Sequence, residues 1–272
     1  MAVFVALPAA LTYGVADFAG GLATRRAPVV AVTAGAQLIG LVALLPAVWL
    51  VGGTPSPAAF GFGALAGIAG ASGLLLYLKG LAVGPMGVVA PLSAVVGAGL
   101  PLLVGLLGGE RLVPVTVLGL TVALAAIVLA NSGPRDAAAG RGVLLGLASG
   151  AGFGLFFIGL DATPPGSGLW PLLAGRVVSV TLLGLLLAAT RPGSVRGAVT
   201  LVVVSGLFDS AANVLFLLAT RLGDLGVSAV LVSLYPVVVV LLARVVLGER
   251  LTTVQFASAG LALTASVILA SA

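Results

Sequence analysis

The sequence contains no cysteine and no histidine. The first absence removes disulfides, thiolate nucleophiles and cysteine-based metal sites. The second removes imidazole ligands and the side chain that titrates nearest neutrality. No metal site and no cofactor are expected. Charge is also scarce: 7% of the residues are Asp, Glu, Lys or Arg, against about 25% in a soluble globular domain. The net charge is +5, but the basic residues stand singly or in pairs between apolar stretches, so no nucleic-acid partner is expected. There is no G-x-x-x-x-G-K-[ST] loop to cradle phosphates, which argues against ATP-driven transport by this chain alone. No pair of carboxylates falls at hydrolase-like spacing, and no catalytic residue is assigned. The opening segment, residues 1–14, lacks a basic stretch before its apolar run and reads as a retained helix rather than a cleaved signal.

What fills the chain instead is apolar residues, 61% of the total, recurring from end to end. That is the composition of a polytopic membrane protein. A spanning helix needs about 20 mostly apolar residues, and on that measure the chain holds ten, at roughly 2–21, 28–51, 58–83, 87–107, 113–131, 141–160, 168–189, 196–219, 226–247 and 253–271. Turn residues or charges separate them, among them Arg25-Arg26, Gly52 to Pro57, Pro164-Pro165-Gly166 and Arg191-Pro192-Gly193. Helices are the open-chain solution in lipid because every backbone polar group must be paired internally. The expected fold is therefore all-α and integral to the membrane.

One stretch occurs twice. Gly84, Gly87, Val88, Gly109-Glu110-Arg111 and Leu112 recur as Gly223, Gly226, Val227, Gly248-Glu249-Arg250 and Leu251, at one interval of 139 positions (249 − 110). Gln37 aligns with Arg176 at the same interval, and Tyr13-Gly14 aligns with Phe153-Gly154. The chain thus divides into a first five-helix repeat, 1–131, a linker, 132–140, and a second repeat, 141–272. Five is odd, so two such repeats in series lie in the membrane with opposite orientation, the plan of many secondary transporters whose site sits near the midplane between the repeats. Most basic residues fall after odd-numbered helices, which by the positive-inside rule places both termini on the non-cytoplasmic side.

Three charged residues lie well inside the spans: Asp17, Arg176 and Asp209. A charge at the bilayer centre costs about 2.5–3.5 kcal/mol on insertion scales, so such residues face a cavity or a partner. Ser205, Asp209 and Asn213 form a polar stripe at helical spacing, which serves either as interhelical glue or as a substrate or proton site. Asp17, a turn from Tyr13, reads as an interfacial carboxylate facing water, with a place in the site as the alternative. Arg176 is too deep to snorkel easily; it pairs with Asp161 or Asp209, or holds a substrate carboxylate. Gly97 and Pro236 are matched breakers in helices 4 and 9 and mark a hinge or site, with Ser233 and Tyr235 beside the second and Ser93 near the first. The glycine ladders Gly146-Gly150-Gly154 and Gly63-Gly67 read as close helix packing. Phe153 and Phe157 read as lipid-facing, with the wall of an aromatic cavity as the alternative; Trp49 and Trp170 read as interfacial anchors, and Lys79 as snorkelling to the surface, with Tyr77 near it able to reach a cavity.

The duplicated five-helix unit, the Gly-Glu-Arg-Leu turn closing the fourth helix of each half, and the segment Leu81 to Ser93 (LAVGPMGVVAPLS) together resemble the drug/metabolite transporter superfamily, specifically its EamA-like ten-helix members. The resemblance covers essentially the whole chain. It implies a carrier of small organic solutes such as amino acids, metabolites or drugs, resident among lipids in the cytoplasmic membrane of a prokaryote, driven by an ion gradient, protons included, or by solute gradients. Family members commonly carry Arg at the place of Gln37; only the second half keeps it, as Arg176. The expected site is Asp209, Asn213, Arg176, Tyr235 and Ser233, with Tyr13, Asp17 and Gln37. A facilitative carrier, a channel-like pore and a membrane-embedded enzyme are the rival readings.

Overall fold

The computed structural model describes residues 2–107, 114–131, 137–222, 232–233, 235–248 and 253–270. Among them are ten α-helices: α1 Ala2–Thr24, α2 Val29–Val51, α3 Pro57–Val83, α4 Met86–Leu107, α5 Pro114–Asn131, α6 Ala137–Asp161, α7 Trp170–Thr190, α8 Val199–Leu222, α9 Tyr235–Leu247 and α10 Thr253–Ala270. Six of the described helices are long and apolar enough to cross a membrane. The helix ends follow from the turn residues. Ser56 accepts the Ala59 amide at 3.1 Å, and Pro57 opens α3 where no intrahelical donor is needed. Gly52 and Gly53, after α2, and Gly248, after α9, all take positive φ. The Gly-Glu-Arg turn of the first half and the Glu249-Arg250 pair lie outside the described residues.

Several elements differ from expectation, and residues 226–231 of the expected ninth span lie outside the described residues. α6 begins at Ala137 rather than 141, because Ala137 to Ala139 are strong helix formers that carry the helix back into the linker. α4 runs unbroken through Pro91, Gly97 and Pro101, so the interruption expected at Gly97 is not there; packed neighbours allow proline within a membrane helix. On the other side, Ser233 stands in a turn just before α9, and Pro236 is that helix's second residue.

Contacts recur with the halves exchanged. α3 packs on α6 and α1 on α8; α3 meets α7 and α2 meets α8. α6 and α8 are the repeat equivalents of α1 and α3, and α7 of α2. The recurrence reaches single residues. A Cβ on Gly67 would stand 2.3 Å from the Gly175 carbonyl oxygen, and one on Gly206, the equivalent of Gly67, would stand 2.4 Å from that of Ala36, the equivalent of Gly175. Backbone meets backbone at both crossings, which requires residues without bulk. The ladder on α6 works similarly against α4, where a Cβ on Gly150 would be 2.5 Å from the Ser93 carbonyl oxygen. Ser93 itself is buried and shares a 2.9 Å hydrogen bond with Ser149.

Two buried clusters hold the bundle. One gathers Phe18, Tyr77, Leu78, Leu81, Met86 and Val239; the other gathers Leu44, Val48, Ala66, Leu160, Leu172 and Phe216. Beyond the second, the loop between α2 and α3 is clasped to the one before α7. The Thr54 amide donates to the Gly166 carbonyl at 3.0 Å. The Trp170 indole N–H donates to the Gly53 carbonyl at 3.2 Å, and its ring meets Trp49 and Phe60 edge-on at 6.2 and 6.0 Å. Trp170→Phe keeps an aromatic ring there and removes the donor. Thermal denaturation in detergent is expected to show a loss of about 1 kcal/mol.

Candidate functional site

Between the two clusters lies a cavity of about 720 Å³, the open space at its mouth included, and both halves contribute to its wall. α1 supplies Tyr13 and, one turn on, Asp17; α2 supplies Gln37; α7 supplies Arg176 and Ser179; α8 supplies Asp209 and Asn213; α9 supplies Tyr235. Glycines of α3 (Gly63, Gly67 and Gly70) and Gly175 of α7 form the flat parts of the wall, and Phe153, Phe156 and Phe157 of α6 the aromatic part.

The centre of the polar lining is Arg176, which is 7% exposed. One guanidinium nitrogen donates to the Gln37 side-chain oxygen, and the other pairs with the Asp209 carboxylate. Of the partners open to Arg176 from the sequence, Asp209 is the one it meets; Asp161, at the end of α6, is exposed. Gln37 and Arg176 are themselves repeat equivalents, 139 positions apart, so the two halves touch here through corresponding residues. Asn213 donates to the Asp209 backbone carbonyl at 2.7 Å. Hydroxyls stitch the halves on either side: Ser179 donates to Gly67 at 2.9 Å and Ser210 to Gly40 at 2.8 Å, each to a backbone carbonyl.

Seven residues singled out from the sequence therefore converge on one wall: Tyr13, Asp17, Gln37, Arg176, Asp209, Asn213 and Tyr235. Three others do not. Ser233 is buried in the turn before α9, Pro236 is buried in the first turn of α9 but is not on the wall, and Gly97 lies against α6. Ser205 is also buried off the wall, beside Gly20.

Two expectations are corrected. Asp17 does not face water at an interface; it is 7% exposed, because α1 continues to Thr24 and draws the carboxylate into the bundle. Phe153 and Phe157 line the cavity instead of facing lipid. Glycines on α3 make the room: a Cβ on Gly73 would come 3.1 Å from the Phe153 ring, and one on Gly70 would come 2.9 Å from Phe156. Tyr77, which from its place near the end of the third span could reach a cavity, is fully buried, with its ring 6.3 Å from that of Tyr235 and 5.6 Å from that of Phe153.

No curated protein matches the chain. A solved crystal structure aligns with 98% of it and 95% of its own length, with a TM-score of 0.66 and 21% identity, which establishes a shared fold. The model of the EamA-like transporter family matches twice, over residues 1–132 and again over 140–271. With both copies of the family unit present across nearly its whole length, the chain belongs to the EamA-like transporter family.

Proposed function

We propose that the protein is a secondary transporter of small organic solutes, working by alternating access around the cavity between its two repeats. The observation that carries this reading is a polar cavity walled by both halves in a bundle that is otherwise apolar. Burying Asp17, Arg176, Asp209 and Gln37 is costly in a membrane protein and is explained by a solute that needs them. The repeats are taken as 1–131 and 141–272, joined by 132–140. Contacts that recur on exchanging five-helix halves support an inverted arrangement, related by a twofold axis in the membrane plane. In that arrangement, parting one buried cluster while the other stays closed opens the cavity to one side at a time. The charge bias of the loops supports termini on the non-cytoplasmic side. Export coupled to proton entry is the version favoured by two carboxylates on the cavity wall.

The test is counterflow in proteoliposomes. Saturable exchange of labelled solute against unlabelled solute is expected; flux that rises linearly with concentration and shows no exchange would instead mark a pore. Asp209→Asn and Arg176→Ala are each expected to lower the exchange rate per folded molecule by at least about tenfold, which is about 1.4 kcal/mol. Unchanged rates in both would remove these two residues from the site. An imposed pH gradient is expected to drive uphill solute movement, and indifference to it would leave a facilitative carrier.

A further inference from the structure

We infer that the cavity takes an organic monocation, an amine with an apolar or aromatic body, and seats its ammonium group at Asp17 among the three tyrosines. The inference rests on the cavity being the transport site. Among the described residues, three charged side chains line it: Asp17, Arg176 and Asp209. Arg176 is already engaged on both sides, by Asp209 and by Gln37, so no uncommitted cation remains for a carboxylate or phosphate. One negative charge is left over, and it belongs to Asp17, which forms no ion pair among the described residues.

Every tyrosine in the chain gathers at this carboxylate. Tyr13 and Tyr235 have ring centroids 6.4 Å apart, and Tyr77 stands 6.3 Å from Tyr235. The hydroxyl of Tyr13 is buried without a hydrogen-bond partner, and its side chain lies on the cavity wall. Buried polar atoms are ordinarily satisfied, so an unpaired one facing a cavity calls for an occupant. An ammonium group answers each feature. Its N–H bonds reach the Asp17 carboxylate and a phenol oxygen, while its charge is favoured by the surrounding aromatic faces. Phe153, Phe156 and Phe157 then receive the apolar body of the molecule. A carboxylate in the same place would meet Asp17 with Asp209 beyond it, a repulsion that discriminates against anions.

The groups facing Asp17 are Tyr77 from α3, Tyr235 from α9, Tyr13 from its own helix and Asp209 from α8, with Arg176 of α7 across the cavity, bound to Asp209. None supplies a competing cation at Asp17 itself.

Isothermal titration of the full chain in detergent tests this with three probes of matched body: 2-phenylethylamine, phenylalanine and 3-phenylpropionate. The amine is expected to bind at least about tenfold more tightly than the other two. Asp17→Asn is expected to abolish the preference, and Asp17→Glu to retain it. Stronger binding of phenylalanine or phenylpropionate overturns the inference, and that comparison needs no variant to fold. Amine binding undiminished in Asp17→Asn overturns it equally. If none of the three binds while another solute still shows counterflow, the inference falls and the transport reading stands. If no solute shows counterflow, both fall.

Discussion

Cutting Asp209 back to alanine is expected to destabilise the folded protein by about 3–5 kcal/mol, the cost of leaving one member of a buried ion pair without its partner. The effect is large because Arg176 cannot escape. It sits 7% exposed within α7, held by Gln37 on one side. Removing both charges should be far milder, since replacing a buried pair by apolar residues of similar volume is often neutral. Thermal unfolding in detergent of Asp209→Ala, Arg176→Met and the double variant Arg176→Met with Asp209→Leu forms the comparison. A single substitution that unfolds no earlier than the wild type would mean the pair does not hold the helices together. A double variant with normal stability but no counterflow would assign the pair to transport rather than to folding.

The second large effect is expected at the crossing of α3 and α7. Gly67→Val places a branched side chain where even a Cβ would stand 2.3 Å from a backbone oxygen of Gly175 and 2.5 Å from its Cα. Neither atom can swing aside as a side-chain tip would, so the two helices must separate along their length, and the Ser179 hydrogen bond to Gly67 goes with them. Overpacking of this kind costs about 1–3 kcal/mol and occasionally more; rigid backbone on the far side puts this site at the upper end. Gly206→Val, at the equivalent crossing of α2 and α8, should behave alike, as a Cβ there would lie 2.4 Å from the Ala36 oxygen. Gly61→Val is the control: nothing lies within 4 Å of its Cβ position, and a change of no more than about 0.5 kcal/mol is expected. Equal losses at Gly61 and Gly67 would refute the packing argument.

Much of this was readable before the structure because membrane insertion simplifies the sequence code. Length and apolarity alone locate a spanning helix, so nine of the described helices fell close to the expected spans, the start of the ninth span lying outside the described residues, and the duplication from Gly84 and Gly223 onward supplied the two-repeat plan. Arg176 and Asp209 stood out because a charge in lipid needs a reason. What the sequence hid was direction. Asp17 looked interfacial because Arg25 and Arg26 follow it closely, yet a slightly longer α1 carries it into the bundle. Phe153 and Phe157 are as compatible with lipid as with a cavity; only the facing glycines of α3 decide between them, and periodicity within α6 cannot report on a neighbouring helix. Gly97 signalled a break in α4, but its packing on α6 keeps that helix whole.

The contact between Gln37 and Arg176 has a consequence for ancestry. In a complex of two identical chains, a residue that touches its own counterpart must meet its like: arginine would face arginine, or glutamine would face glutamine. Once the copies share one polypeptide, each position is free to diverge, and here Asp209 has Gly70 as its equivalent, just as Arg176 has Gln37. Both charges therefore reside in the C-terminal copy, giving the pocket a lopsided polarity that no homodimer of either half could reproduce.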